Sequence, residues 1–134
     1  QGSILSCDFS TGFVPPEMVK RRPVIVMSPP IKTRPGLCTV VCVSTTPPQP
    51  ELAYHFRFQM PEPVQKHWQS GDVWVKADMI YAVSFQRLSL AMLGKDRSGR
   101  RLYYRSVVSK ENLAGIQKCI LHGIGLGTLT NYLD

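Results

Sequence analysis

Apolar and polar positions alternate along this chain in short blocks broken by proline and glycine. Ser3–Asp8 (SILSCD) predicts a first strand, and Thr11–Arg22, with Gly12, Pro15 and Pro16, a long loop. Pro23–Met27 (PVIVM) is continuously apolar, the pattern of a strand buried on both faces. Leu37–Ser44 (LCTVVCVS) is rich in β-branched residues and is the strongest strand of the chain. It stops at Thr45-Thr46-Pro47-Pro48, because proline has no N–H to give to a ladder. Tyr54–Met60 places Tyr, Phe and Phe between His, Arg and Gln, the period of two of a half-buried strand. Pro61–Ser70 reads as a loop carrying His67 and Trp68. Asp72–Ala77 (DVWVKA) alternates again and Ile80–Ser84 extends it. Phe85–Leu88 predicts a single helical turn, Gly94–Arg100 (GKDRSGR) a basic turn or longer loop, and Leu102–Val108 a late strand.

The pattern then changes period. Ser109 is a good helix N-cap, and Leu113, Ile116, Ile120, Leu121 and Ile124 recur at spacings of three and four, one face of a helix. Gly123, Gly125 and Gly127 end it, and the tail Thr128–Asp134 either frays or docks on a partner subunit. Short strands followed by one amphipathic helix predict a mainly β (β+α) fold, a small curled sheet or barrel with the helix against it. No internal repeat divides the chain, and residues 1–134 are expected to form a single domain.

Composition narrows the classes. No segment approaches the roughly 18–20 apolar residues that span a bilayer, and Gln1-Gly2-Ser3 does not open a secretory signal, so the expectation is a cytoplasmic protein without membrane contact. Cys7, Cys38, Cys42 and Cys119 form no CxxC pair and read as buried small hydrophobes rather than disulfides or metal ligands. The formal net charge of +7 favours a polyanionic partner, either nucleic acid or an acidic protein segment.

Several segments together resemble the MazF/PemK toxins. Gly2–Phe9 (GSILSCDF) is similar to the opening of that family. Glu17, four residues, then Arg22-Pro23 and VIVMSP match its next block, with the gap preserved. Val40–Thr46 (VVCVSTT) and Asp72–Asp78 (DVWVKAD) resemble its following strands. The resemblance covers roughly residues 2–124, and the proline-bearing Val14–Met18 looks closer to a chromosomal, PemK-like subgroup. It implies an SH3-like small barrel of the MazF/PemK/CcdB type and a homodimer. It further implies the toxin of a type II toxin–antitoxin system, an endoribonuclease that cuts single-stranded RNA sequence-selectively without metal or other cofactor. A cognate antitoxin protein would be the second partner.

Metal-free RNA cleavage uses the ribose 2′-hydroxyl as nucleophile. It needs a base near that hydroxyl, a donor near the leaving 5′-oxygen and positive charge near the phosphorane. Arg22 suits the last role, because its guanidinium forks onto phosphate oxygens. Thr45 and Thr46 end a strong strand, where hydroxyls can bond a phosphate. Glu17 is either a general base or the group that holds Arg22. Asp78 matches an Asp that looks catalytic in the PemK branch and is a second candidate for the base, and Lys76 stands where that branch has Arg. The catalytic candidates are therefore Arg22, Glu17, Asp78 and Thr45, and the RNA-binding candidates Thr46, Lys76, Arg21 and Trp68. Phe13 and His67 are further loop rings that could stack on bases. Trp74 reads instead as core or dimer interface. Lys95, Arg97, Arg100 and Arg101 either track phosphates or form a solvated turn. Pro16 stands where some PemK toxins carry His. That departure and Lys76 keep open a second reading, a catalytically weak or inactive barrel that binds RNA or protein.

Overall fold

The computed structural model describes residues 1–60 and 72–133. Among the described residues the main sheet has seven strands, and its first five are β1 (Ser3–Asp8), β2 (Arg21–Val26), β3 (Leu37–Ser44), β4 (His55–Gln59) and β5 (Asp72–Ser84). After a 3-10 turn at Phe85–Arg87 come β6 (Leu88–Ser89), β7 (Ala91–Lys95), β8 (Arg101–Tyr104), β9 (Ser106–Val107) and helix α1 (Lys110–Gly123). The sheet runs β4-β5-β3-β2-β1-β6, with β9 also pairing β1, and each of these pairs is antiparallel. Because β1 takes β2, β6 and β9 as partners, the sheet curls into the expected small barrel.

The strands have their apolar positions where the pleat demands them. In β2 the neighbours Val24 and Ile25 are both fully buried, but against different cores. Ile25 joins Ile4, Val41, Val43, Val73, Val75 and Ile116 on the face that α1 covers. Val24 joins Cys7, Phe9, Cys38, Val40, Cys42 and Val83 on the other face. The continuous apolar run thus serves two cores, as a strand without a wet face must. All four cysteines are free and buried. Burial pushes the thiols of Cys7 and Cys42 up to about 11 and about 12.

The expected strand Asp72–Ala77 and its extension are one strand, β5, interrupted in its pairing. Cys42 lies opposite Lys76 while Val41 lies opposite Ile80, so three residues of β5 have no partner on β3. The segment after the 3-10 turn differs from expectation. Ala91–Lys95 is a strand that the apolar pattern does not announce, and it pairs β8 in a separate two-stranded sheet. Of GKDRSGR, the first two residues end β7 and residues 96–100 form the turn, tied by the Asp96 carboxylate, which accepts from the Ser98 and Arg100 N–H groups. The late strand splits at Arg105 into β8 and β9.

Helix α1 is capped as expected: Ser109 Oγ accepts from the Asn112 N–H at 3.0 Å. Ile116 and Cys119 are buried, with Leu113 and Ile120 packed beside them, whereas Ile124 caps the helix and is 54% exposed. Two glycines let the helix approach closely. A Cβ on Gly115 would stand 2.4 Å from the Phe56 ring, and one on Gly123 would stand 2.7 Å from the Ala77 carbonyl oxygen. Beyond it, Gly127–Tyr132 forms a 3-10 turn.

Candidate functional site

Where the second core ends, the curled sheet leaves an open groove of about 480 Å3, lined by Met18, Arg22, Pro23, Val43, Ser44, Thr45, Thr46 and Lys76. Strand alternation puts the polar walls there. Arg22 lies two residues before Val24, Ser44 two residues after Cys42, and Lys76 directly opposite Cys42. Val24 and Cys42 belong to the second core, so the three polar side chains continue that core's face beyond its edge. Arg22, Lys76 and Asp78 all act electrostatically on the Cys42 thiol. Burial raises its pKa most, Cys7 and Asp78 add to the rise, and Arg22 and Lys76 oppose it. Cys42 is fully buried on the sheet face that Arg22 and Lys76 continue.

Thr45 and Thr46 are exposed at the end of β3, where the Thr46 N–H donates to Ser44 Oγ at 3.1 Å. Asp78 is exposed and lies in the unpaired stretch of β5. The loop over residues 9–20 closes one side of the groove and is held at several points. Its Phe9 N–H donates to the Lys20 carbonyl. Phe9, Phe13 and Tyr81 pack ring against ring at 5.1–5.6 Å. Arg87 donates to the Asp8 and Thr11 carbonyls, both at 3.0 Å, and lies over the Phe13 ring. The Tyr81 hydroxyl accepts from the Met18 N–H at 3.0 Å, which fixes the residue that reaches the groove.

The structure brings together Arg22, Thr45, Thr46 and Lys76 in the groove lining, whereas Asp78, exposed two residues beyond Lys76 on β5, is not part of that lining. Glu17 is on the loop but not in the groove lining. Its carboxylate accepts from the Val14 N–H at 2.7 Å and closes its own turn. Among the described residues the ion pairs are Arg21–Asp8 and Arg57–Asp72, so Glu17 does not pair with Arg22. Arg21 stands on the opposite face of β2 from Arg22, paired with Asp8 at 3.3 Å and reaching Ser89 Oγ. Consecutive strand residues point to opposite sides, so only one arginine of this pair can enter the groove. Trp68 and His67 lie outside the described residues. Phe13 is committed to its ring cluster. Met18, Ser44 and Tyr81 were not singled out from the sequence. Alternation in β3 signals Ser44, whereas nothing local signals a tyrosine that anchors a loop 63 residues away in the chain.

Among the described residues no three His, Cys, Asp or Glu side chains cluster as metal ligands would. Nor is any helix there long and apolar enough to cross a membrane.

The fold recurs in solved toxins. An endoribonuclease from a mycobacterial species, solved in complex with its cognate antitoxin, superposes with a TM-score of 0.60 at 17% identity, covering 94% of each chain. MazF from Deinococcus radiodurans gives 0.57 at 21% identity, covering 92% of this chain and 94% of that one. The Mycobacterium tuberculosis toxin MazF-mt6 gives 0.55 at 13%, covering 92% and 97%. In sequence, the uncharacterized protein YifN of Escherichia coli (strain K12) is 30% identical over 148 residues, covering 97% of this chain and 94% of YifN. A family model matches residues 1–120, and by that match the chain belongs to the PemK-like, MazF-like toxins of type II toxin–antitoxin systems.

Proposed function

We propose that this chain is the toxin of such a system and cuts single-stranded RNA as a metal-independent, sequence-selective endoribonuclease. The observation that carries the reading is the convergence of Arg22, Lys76, Thr45 and Thr46 on one open groove, with the exposed carboxylate of Asp78 two residues beyond Lys76 on the same strand. Two cations and two hydroxyls suit a phosphodiester that gains charge in its transition state.

In the proposed reaction Asp78 takes the proton of the ribose 2′-hydroxyl. That oxygen bonds to phosphorus, and the bond from phosphorus to the 5′-oxygen breaks. Arg22 and Lys76 hold the non-bridging oxygens, and the leaving oxygen accepts a proton from solvent. The products are a 2′,3′-cyclic phosphate and a 5′-hydroxyl. Glu17 is a loop-ordering residue in this scheme, not the base, because its carboxylate is committed to the Val14 N–H. The protein acts in the cytoplasm as a homodimer, and a cognate antitoxin silences it.

The test is to incubate protein with long single-stranded RNA in excess EDTA, beside an Arg22→Ala control, and to map the cut ends. Discrete cuts with cyclic phosphate ends are expected from the wild type. Loss of one such charged donor should lower the rate about 10²–10³-fold. Equal cutting by both proteins would overturn the role given to Arg22. Salt-sensitive binding with intact RNA would favour the second reading, a barrel that binds without turnover. Lysine is a poorer phosphate fork than arginine, and Lys76 on the groove wall is the feature that favours this reading.

A further inference from the structure

We propose that Trp74 and Arg57 form a stacking site for one unstacked base of the RNA held in the groove, an inference that rests on the ribonuclease reading above. Trp74 lies directly opposite Ser44 of β3 on one side and Arg57 of β4 on the other. Residues opposite each other in a ladder share a face, so Trp74 stands on the face of Ser44, a groove wall. Lys76 is two residues further along β5 on that same face, about 7 Å away by strand rise. A phosphate between Arg22 and Lys76 therefore has its neighbouring base within reach of the indole.

Trp74 is half-buried and belongs to neither core cluster, unlike its neighbours Val73 and Val75. Its ring carries the Arg57 guanidinium at 5.7 Å from the centroid. Arg57 is a surface side chain, yet Asp72 fixes it with a 2.7 Å bond, which also raises the guanidinium's pKa. A flat cation fixed over an indole, one ladder position from the Ser44 wall of a basic groove, offers planar groups to which a nucleobase can add. Every base has a π-face, so this site supplies affinity and register, while sequence choice lies elsewhere.

The test uses an oligoribonucleotide spanning a mapped cut site, with a single 2′-deoxy substitution that prevents cleavage, and follows binding by fluorescence anisotropy. Trp74→Ala and Trp74→Leu are compared with Trp74→Phe, with folding checked by circular dichroism. The leucine variant keeps apolar bulk and loses the plane. Both non-aromatic variants should bind about 5- to 150-fold more weakly, and the phenylalanine variant within about threefold of wild type. The penalty of Trp74→Leu should vanish when one base of the oligonucleotide, and one only, is replaced by an abasic site. Wild-type-like binding by the leucine variant would overturn the stacking site and leave the ribonuclease reading intact. Failure of the wild type to bind or cut RNA would overturn both. A penalty that persists at every abasic position, with loss of the dimer in sedimentation, would instead make Trp74 a subunit contact.

Discussion

The two faces of the sheet are closed by different means. On one, α1 lays Ile116 and Cys119 over Ile25, Val41, Val43 and Val75, and the layer is apolar throughout. On the other, the chain covers its own core with the loop over residues 9–20, pinned by Tyr81 and Arg87, and the cover stops short. A helix satisfies its own backbone and can seal a face end to end, whereas a loop must be tied at separate points. Where the ties stop, Arg22, Ser44 and Lys76 meet solvent. One face therefore holds the fold together, and the other offers polar groups a rigid floor of buried cysteine and valine.

That division is open to direct attack. The largest effect on stability should come from the sealed face. Ile116→Ala should cost about 2–5 kcal/mol in urea unfolding, while RNA cleavage per folded molecule stays near wild type. A large change in the cleavage of folded protein would show that the faces are not separable. Gly123→Ala is expected to cost about 1–3 kcal/mol, because the new methyl meets the Ala77 carbonyl. Improved helix propensity returns only part of that, and a stabilised variant would contradict the close approach. The smallest effect belongs to the loop. Tyr81→Phe leaves the Met18 N–H without its acceptor and should cost about 0.5–1.5 kcal/mol. Limited proteolysis should then cut within residues 9–20 sooner than in wild type. Unchanged proteolysis would mean that the ring cluster alone holds the loop.

Much of this division was legible in the chain. The bounds of β3, the Ser109 cap and the apolar stripe of α1 follow from residue type and spacing, because each is decided by near neighbours. The two-sided burial of β2 followed from its unbroken apolar run. Less of the site was legible. Arg22, Thr45, Thr46 and Lys76 fall together because of pairing between distant strands, which the family resemblance implied and spacing did not. Arg21, expected to bind RNA, pairs with Asp8 on the other face of β2, because strand parity separates it from Arg22. Glu17 turned inward to its own loop, a choice set by three residues of local backbone. Strand β7 went unread because Ala91–Lys95 (AMLGK) shows neither alternation nor β-branched residues.

The interruption of β5 reaches further than its three residues. An odd number of extra positions reverses the in-and-out phase of the strand. Before it, Val73 and Val75 face the helix and Trp74 and Lys76 the other side of the sheet; after it, Ile80 faces the helix and Tyr81 and Val83 the opposite core. One strand thus carries two independent reading frames for side-chain direction. The rim can change its chemistry at Trp74, Lys76 or Asp78 while the second half goes on anchoring the loop. The helix end packs against the join, with Gly123 close to Ala77 and the Asp78 backbone. In evolutionary currency the bulge is a partition: variation that retunes the chemistry of the rim need not be variation that unfolds the protein.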